Sequence, residues 1–224
     1  MSISIIHPSR NRPEMAYRVA QKWINSMSGK YDMEYIMSID DNDSQKNEYE
    51  KNAALYFFEH KGKNKLTFKL LEFPNNSAID AINNAAKLSR YNLIVVVSDD
   101  FDCFEGWDTW LMEKLKGQED FLVKTSDGLQ ERLITLPIMD RKYYERFGYV
   151  YYPEYKHMFC DTEMTEVGHI LGRVIDLRDD KYVFSHLHYT AGKMQKDEIN
   201  EKNDATWNQG EALFNSRKEK NFYL

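Results

Sequence analysis

The stretch NLIVVVSDDFDCFEGWD, residues 92–108, carries most of the information about the fold, because an apolar strand runs directly into a group of acids. The apolar run 93–97 predicts a strand buried on both faces, which in a mixed α/β chain is typical of the middle of a parallel sheet. Asp99, Asp100 and Asp102 follow at its carboxyl end, where open α/β sheets bind their ligands. Carboxylates this close repel one another unless a divalent cation or a solvated surface turn relieves the repulsion. The stretch therefore predicts either a metal site or a hydrated turn.

Strands and helices alternate through the N-terminal half. The hydrophobic periodicity predicts strands at residues 2–7, 33–39 and 66–73 and helices at 14–26 and 78–89. This repetition predicts an α/β fold with a doubly wound, mostly parallel sheet. Beyond residue 108 the pattern becomes α+β, with helices at 109–115, 141–147 and 162–171, strands at 121–124, 132–138 and 182–186, and a charged tail at 193–224.

Composition excludes several classes of protein. With 224 residues, 42% of them hydrophobic and 29% charged, the chain predicts one globular domain. The net charge of −6 argues against broad binding to nucleic-acid phosphates. Cys103 and Cys160 have no zinc-site spacing, which predicts a reduced protein without disulfides. The N-terminus does not resemble a signal peptide and no run of 18 apolar residues occurs, so we expect a cytoplasmic protein without a membrane segment.

Four polar or acidic clusters follow predicted strands or lie in loops, at residues 8–12, 40–43, 98–102 and 161–163. A doubly wound sheet brings such loops to one edge. Neither a Gly-rich phosphate loop nor GxGxxG is present, which disfavours an NAD-type Rossmann site and a P-loop NTPase. A phosphate-bearing substrate would then require a cation, a lysine or an arginine.

Three of these clusters together resemble the GT-A fold glycosyltransferases, particularly the family-two type. The first strand is followed by Pro-Ser-Arg-Asn-Arg at residues 8–12, and the second ends in the acidic run DDNDS at 40–44. The stretch SDDFD at 98–102 occupies the place of the family's DXD motif, and Gly106-Trp107 follows it. The resemblance implies a single GT-A domain over residues 1–224, with a nucleotide-sugar-binding half at 1–108, an acceptor-side half at 109–192 and a tail at 193–224.

The resemblance also implies residue roles on the donor side. The nucleotide-sugar would be held by Pro8, Arg10, Asn11, Arg12, Asp40, Asp41, Asn84 and Asp99. Mn²⁺ or Mg²⁺ would bind Asp100 and Asp102 and bridge the diphosphate. Ser98 takes the first acidic position of DXD if the strand ends are aligned, so the sequence leaves open which acid contacts the metal.

Later in the chain, Asp161 and Glu163 resemble the acidic motif that supplies the catalytic base in inverting members. An attacking hydroxyl must lose its proton, and a carboxylate accepts it; the alternative is that Asp161 is only the N-cap of the following helix. His186 and His188 lie two apart and point the same way on a strand, which permits metal ligation, although ordinary sheet-edge histidines have the same spacing.

The function implied is transfer of a sugar from a metal-bound nucleoside diphosphate sugar to a hydroxyl acceptor, with inversion expected at the anomeric carbon. Trp107 and Asp108 are predicted to line the acceptor pocket, with core packing as the alternative for the tryptophan. The acceptor class stays open among glycan, small molecule, protein side chain and hydroxylated nucleic-acid base. Rival functions are a nucleotidyltransferase, disfavoured because residues 7–13 contain no glycine, and a catalytically silent binding module.

Overall fold

The computed structural model describes residues 2–59, 65–178 and 182–224. Its elements in chain order are β1 (Ile3–Pro8), α1 (Pro13–Asn25), β2 (Met33–Asp40), α2 (Lys46–Glu59), β3 (Leu66–Phe73), α3 (Ala78–Lys87), β4 (Leu93–Val96), β5 (Phe101–Asp102), α4 (Trp107–Lys114), β6 (Leu122–Lys124), β7 (Ile138–Asp140), α5 (Arg141–Phe147), α6 (Cys160–Ile170), β8 (Val174–Asp176), β9 (Ser185–His186), α7 (Glu198–Asp204) and α8 (Trp207–Glu219). Short 3₁₀ turns lie at Tyr189–Ala191 and Asn221–Tyr223.

Seven strands form one sheet in the order β3-β2-β1-β4-β7-β6-β8. Strand β1 pairs in parallel with both β2 and β4, and β2 pairs in parallel with β3. Strand β7 runs antiparallel to its neighbours β4 and β6, whereas β6 and β8 are parallel. The predicted α/β fold with a mostly parallel, doubly wound sheet is confirmed, and β4 lies in its middle.

Both faces of the central strands are buried, as a continuous apolar run requires. Leu93 and Val95 of β4 pack in one core with helices α1 and α4, while Ile94 and Val96 pack in a second core with α3 and α6. Successive side chains of a strand point to opposite faces, so one strand feeds both cores. Helices therefore cover the sheet on two sides and leave its edges for loops.

The carboxyl ends of β1, β2, β4 and β6 share one edge of the sheet. Strands β1, β2 and β4 are mutually parallel, and β6 runs the same way because two antiparallel pairings through β7 separate it from β4. A small second sheet pairs Phe101 with His186 and Asp102 with Ser185, which ties the segment after β4 to the segment before the tail.

The predicted strand at residues 132–138 is largely wrong, because regular structure begins only at Ile138. Side chains satisfy the backbone of this segment in place of a strand ladder: Gln130 Oε1 accepts the Leu133 N–H at 2.7 Å, and Thr165 Oγ1 accepts the Ile134 N–H at 2.9 Å. The predicted strand at 182–186 shortens to β9, and α2 was not predicted. Within the described part of the chain, no helix has both the length and the apolar character that crossing a bilayer requires.

Candidate active site

A hydrogen-bonded chain of polar side chains connects the ends of β1 and β2 to helix α3. Arg10 donates to the Asp40 carboxylate and, at 3.0 Å, to Asn42 Oδ1. Asn75 donates to the other Asp40 oxygen at 3.0 Å, and Asn84 donates to Asn75 Oδ1 at 3.0 Å. Asp40 is buried, so its charge requires the guanidinium. This chain brings together the predicted donor-binding residues Arg10, Asp40 and Asn84.

The loop after β1 is held by the acids that follow β2. Asn11 adopts a left-handed backbone conformation, with φ of 53°, and its N–H donates to Asp43 Oδ2 at 2.7 Å. Pro8 pairs with Ser38 as the last residue of β1. Asp41 is exposed and lies outside the chain of hydrogen bonds around Asp40. The structure therefore favours Asp40 over Asp41 as the acid facing this loop.

Asp99 is buried and its oxygens are already engaged. His7 Nε2 lies 2.9 Å from Asp99 Oδ1, and Ser9 Oγ donates to Asp99 Oδ2 at 3.0 Å. An Arg12 nitrogen lies 4.0 Å from the same Oδ2. These contacts make Asp99 a brace between the end of β4 and the loop after β1, and its nucleotide-binding role stays a prediction.

Arg12 binds the carboxylate of Asp197 with two nitrogens, one of them at 2.7 Å, and Asp197 caps the N-terminus of α7. Burial lowers the pKa of Arg12, but the hydrogen bonds and charge of Asp197, together with the charges of Asp99 and Asp100, raise it more. The segment before α7 is thereby anchored over the carboxyl edge.

Asp100, His186 and His188 form a group that can hold a metal ion, because one ligand atom from each lies within 4.8 Å of the others. His186 Nε2 lies 3.3 Å from Asp100 Oδ2, and the two imidazole rings are 5.1 Å apart. Ser98 donates to Asp100 Oδ1. Asp102, in β5, does not join this group among the residues that the structure describes. Of the three acids after β4, Asp100 is the one in position to bind a cation.

The electrostatics of this group favour a charged carboxylate. Burial would raise the pKa of Asp100, but the contact with His186 and the hydrogen bond from Ser98 outweigh it and lower the pKa to about 2. Burial would likewise lower the pKa of His186, yet Asp100 and Asp127 raise it to about 9. Burial, followed by the charge of His186, lowers the pKa of His188. In the absence of a cation, the imidazolium of His186 supplies the positive charge that Asp100 needs.

A cavity of about 430 Å³ opens beside the cation group. Asp100 lines it on the sheet side, the start of α1 forms one wall, and the chain between β9 and α7 forms another; its other lining residues are Glu14, Met15, Arg18, Leu187, Lys193, Met194, Gln195 and Asp197. A ligand entering this cavity can therefore reach a cation bound to Asp100.

Asp161 lies in the first turn of α6 but is not its N-cap. The N-cap is Phe159, which has a left-handed backbone with φ of 70° and offers no side-chain cap. Asp161 Oδ1 accepts the Thr162 N–H at 2.7 Å. Burial raises the pKa of Asp161, and the hydrogen bonds from Thr162, followed by the charge of His186, oppose that rise without cancelling it. A carboxylate with a raised pKa close to the cation group is suited to accept a proton.

Glu163, predicted beside Asp161 as a catalytic acid, is engaged elsewhere. Its side chain is buried and receives hydrogen bonds from Arg217 Nε at 2.8 Å and from Tyr155 Oη at 2.9 Å, both to Oε2. The Arg217 guanidinium also lies over the Tyr152 ring, 3.3 Å from its centroid. Glu163 therefore ties α6 to α8, and the prediction of a catalytic role for it is not supported.

Trp107 and Asp108, predicted to line an acceptor pocket, belong to the interior. Trp107 is fully buried and its Nε1 donates to the Trp23 carbonyl at 3.0 Å. Asp108 accepts from the Ser28 N–H at 2.9 Å and from the Ser28 hydroxyl at 2.6 Å. Ser28 follows α1, whose 13 residues span about 20 Å from the loop after β1. Both residues fix α4 to the C-terminal end of α1.

Two polar residues near the cation group were not predicted from the sequence. Asp127 follows β6 and is buried, with Oδ2 3.6 Å from His186 Nδ1. The Asp-Gly turn directly after a strand was the available signal. His157 is half-buried, and burial lowers its pKa to about 4, against the opposing charges of Asp100 and Asp204. Nothing in its local sequence marks His157.

Three solved structures match most of this chain at low sequence identity. Glucosyl-3-phosphoglycerate synthase from Mycobacterium tuberculosis, solved with Mn²⁺, uridine diphosphate and phosphoglyceric acid, matches with a TM-score of 0.61 and 14% identity over 96% of this chain and 78% of that one. TarS 1–349 of S. aureus in complex with UDP-GlcNAc matches with a TM-score of 0.61 and 12% identity over 89% of this chain and 60% of that one. The mannosyltransferase PcManGT from Pyrobaculum calidifontis, in complex with GDP-Man and Mn²⁺, matches with a TM-score of 0.58 and 15% identity over 83% and 57%.

This chain has the GT-A glycosyltransferase fold. It covers 36% of the TarS structure and 60% of the TarS 1–349 structure, so it corresponds to part of that protein. No protein-family model and no curated protein sequence matches it. The resemblance drawn from the motifs is confirmed at the level of the GT-A fold.

Proposed function

We propose that this protein is a metal-dependent glycosyltransferase that moves a sugar from a nucleoside diphosphate sugar to a hydroxyl acceptor. The observation that carries the proposal is the group of Asp100, His186 and His188 at the carboxyl edge of a GT-A fold. Solved proteins of this fold bind UDP or GDP sugars, and two of those described above contain Mn²⁺. We assign the donor-binding half to residues 1–108 and the acceptor-side half to 109–192, as the motifs predict.

The ligand set fits a divalent transition ion. One carboxylate and two imidazoles combine oxygen and nitrogen donors, whereas Mg²⁺ takes mainly oxygen ligands. His188 suits this role because its lowered pKa keeps the ring neutral. We therefore expect Mn²⁺ in preference to Mg²⁺. When bound, the cation would neutralise the donor diphosphate and stabilise it as a leaving group.

On the donor side, we assign the nucleoside to the chain of hydrogen bonds around Asp40. Asp40 and Asn84 present carboxylate and amide groups for base and ribose, and Arg10 fixes Asp40 in position. Asp41, which is exposed, and Asp99, which connects the end of β4 to the loop after β1, are not part of this assignment.

In the transfer step, the acceptor hydroxyl oxygen attacks the anomeric carbon and forms the new glycosidic bond. The bond from that carbon to the diphosphate oxygen breaks, and the nucleoside diphosphate leaves with the electron pair. Asp161 takes the proton of the hydroxyl, which its raised pKa favours. Attack from the face opposite the leaving diphosphate gives inversion at the anomeric carbon.

The test is a thermal-shift titration with nucleoside diphosphates and nucleotide-sugars, each in Mn²⁺, Mg²⁺ or EDTA. A ligand at a hundred times its dissociation constant adds about 2.7 kcal/mol of stability. We expect one nucleotide to stabilise the protein in Mn²⁺ and not in EDTA, and Asp100→Asn to abolish the effect. Asp102→Asn should retain it, because Asp102 lies outside the cation group.

A donor identified in this way is then tested for transfer with a panel of glycans and small hydroxyl acceptors. Absence of any nucleotide effect in Mn²⁺ would contradict the proposal. Donor binding together with neither transfer nor donor hydrolysis would instead favour a binding module of the same fold.

A further inference from the structure

Asp127 stands behind the cation group without being one of its ligands. It lies in the turn after β6, and its carboxylate is buried. Oδ1 accepts the N–H groups of Leu129 and Gln130 at 2.8 and 2.9 Å. Oδ2 accepts the Thr135 hydroxyl at 2.6 Å and faces His186. The position of Oδ1 is therefore fixed by the turn, and that of Oδ2 by Thr135.

The backbone of Asp127 is also hydrogen-bonded to β9. The His186 N–H donates to the Asp127 carbonyl at 2.8 Å. One residue thus receives the main chain of His186 and places a carboxylate beside its ring. The ring is further restrained by stacking on Phe101, with centroids 4.3 Å apart.

The two nitrogens of His186 face two different carboxylates. Nε2 points to Asp100 in the cation group at 3.3 Å, whereas Nδ1 lies 3.6 Å from Asp127 Oδ2. That distance is longer than a hydrogen bond, and within the described ranges the buried Nδ1 has no hydrogen-bond partner. A neutral imidazole carries its proton on one nitrogen and a lone pair on the other. A small rotation of the ring would let Nδ1–H donate to Asp127 and leave the Nε2 lone pair for a cation.

We propose that Asp127 is the positioning residue of the cation site: it holds the proton of His186 on Nδ1, so that Nε2 is the metal-binding atom. The inference rests on the proposed cation site and adds to it a residue that does not touch the ion. Carboxylates in this position fix the tautomer and orientation of metal-bound histidines, and their loss costs about 10- to 100-fold in metal affinity.

Asp127→Asn tests the inference sharply because the asparagine has the same shape. The N–H groups of Leu129 and Gln130 keep the amide oxygen in the Oδ1 position, so the NH₂ group takes the Oδ2 position beside His186. A donor there requires Nδ1 to accept, which moves the histidine proton to Nε2 and blocks the metal. We expect Mn²⁺ affinity, measured by EPR titration without donor, to fall about 10- to 100-fold.

The matched control is Asp176→Asn, since Asp176 also accepts a backbone N–H, at 3.1 Å from Arg178, but is exposed at the end of β8. It should bind Mn²⁺ as the wild type does.

A double-mutant cycle separates positioning from general disturbance: in the background of His186→Ala, the further change Asp127→Asn should alter Mn²⁺ affinity less than about twofold. An equal loss in both backgrounds would show that Asp127 only supports the fold, and an unchanged affinity in the single variant would also overturn the inference.

Histidine NMR of the wild type tests the same point without a variant. With ¹⁵N-labelled histidine and Zn²⁺ as a diamagnetic ion, His186 should carry its proton on Nδ1 and bind through Nε2. The opposite tautomer would overturn the inference. A wild-type protein that binds neither Mn²⁺ nor Zn²⁺ would refute the cation site itself, which is a different outcome from normal binding by the Asp127→Asn variant.

Discussion

The donor side and the cation side of the carboxyl edge satisfy their buried charges in different ways. At the donor side, the guanidinium of Arg10 pairs with the buried Asp40. At the cation side, Asp100 pairs with His186, whose imidazolium can lose its proton. The first arrangement is permanent, because an arginine stays charged. The second is exchangeable, since a cation can replace the proton. This contrast separates residues that build the site from residues that accept its ligands.

The variant Asp161→Asn should have the largest effect on activity. Without a carboxylate to accept the hydroxyl proton, we expect kcat to fall by about 10² to 10⁴. Donor and Mn²⁺ affinities should stay within about twofold, because Asp161 is not one of the cation ligands. Steady-state kinetics with direct binding titrations makes the measurement, and full activity of the variant would remove Asp161 from the mechanism.

The variant Glu163→Gln should act on stability alone. It leaves the buried Arg217 guanidinium without its carboxylate, and breaking such a pair costs about 3 kcal/mol. Glu166→Gln is the matched control, since Glu166 also joins α6 to α8, through Lys218, but in a solvent-exposed pair that contributes less than about 1 kcal/mol. Urea unfolding compares the two. A Glu163→Gln protein of normal stability that fails only in transfer would restore the catalytic role predicted for this residue.

Replacing Arg10 should weaken nucleotide binding without affecting the cation. In Arg10→Met, Asp40 keeps Asn75 but loses the guanidinium that fixes and neutralises it. We expect nucleotide affinity to fall about tenfold, the usual size of a lost charge-assisted hydrogen bond. Lys142→Met, which removes an exposed cation paired with Glu119, serves as the control. If Mn²⁺ affinity without nucleotide falls in Arg10→Met, the two sides are not independent.

The exchangeable charge of the cation side predicts a pH-dependent stability in EDTA. The folded-state pKa of His186, about 9, lies above its ordinary value of 6.5, so its contribution to the free energy of unfolding is complete below about pH 6.5. That contribution is lost as the pH rises through 9. The difference in stability between the wild type and His186→Gln should therefore shrink over this interval. A difference that stays constant with pH would show that His186 is neutral without metal.

The fold was predictable because its signals are local. The apolar run of β4, the alternation of strands and helices and the Ser77 N-cap of α3, whose hydroxyl accepts the Asp80 N–H at 3.1 Å, each depend on neighbouring residues. The strand predicted at 132–138 was largely wrong because Gln130 and Thr165 supply hydrogen bonds that a strand pattern does not reveal. Propensity reports what a segment prefers alone, and tertiary partners override it there.

The site was predictable in part. Acids at strand ends marked the edge, because parallel strands deliver their loops to one place. The structure places Trp107, Asp108 and Glu163 in the interior. Asp99 is also buried, where it connects the end of β4 to the loop after β1. A carboxylate that caps a helix, braces a loop or pairs with a cationic side chain looks the same in the sequence as one that binds a ligand. The sequence does not show which group each carboxylate contacts in the folded protein.

The sequence by itself determined the alternation of strands and helices in the first half and the acidic end of β4, since apolar periodicity and strand-end polarity are properties of contiguous residues. Only the tertiary structure selected Asp100 over Asp102, brought His186 to it across 86 positions of chain, and placed Asp127 behind that histidine. The physical reason is that a cation site depends on distances of a few ångströms between side chains on β9 and in the segments that follow β4 and β6. Those distances are fixed by sheet pairing and packing and do not follow from spacing along the chain.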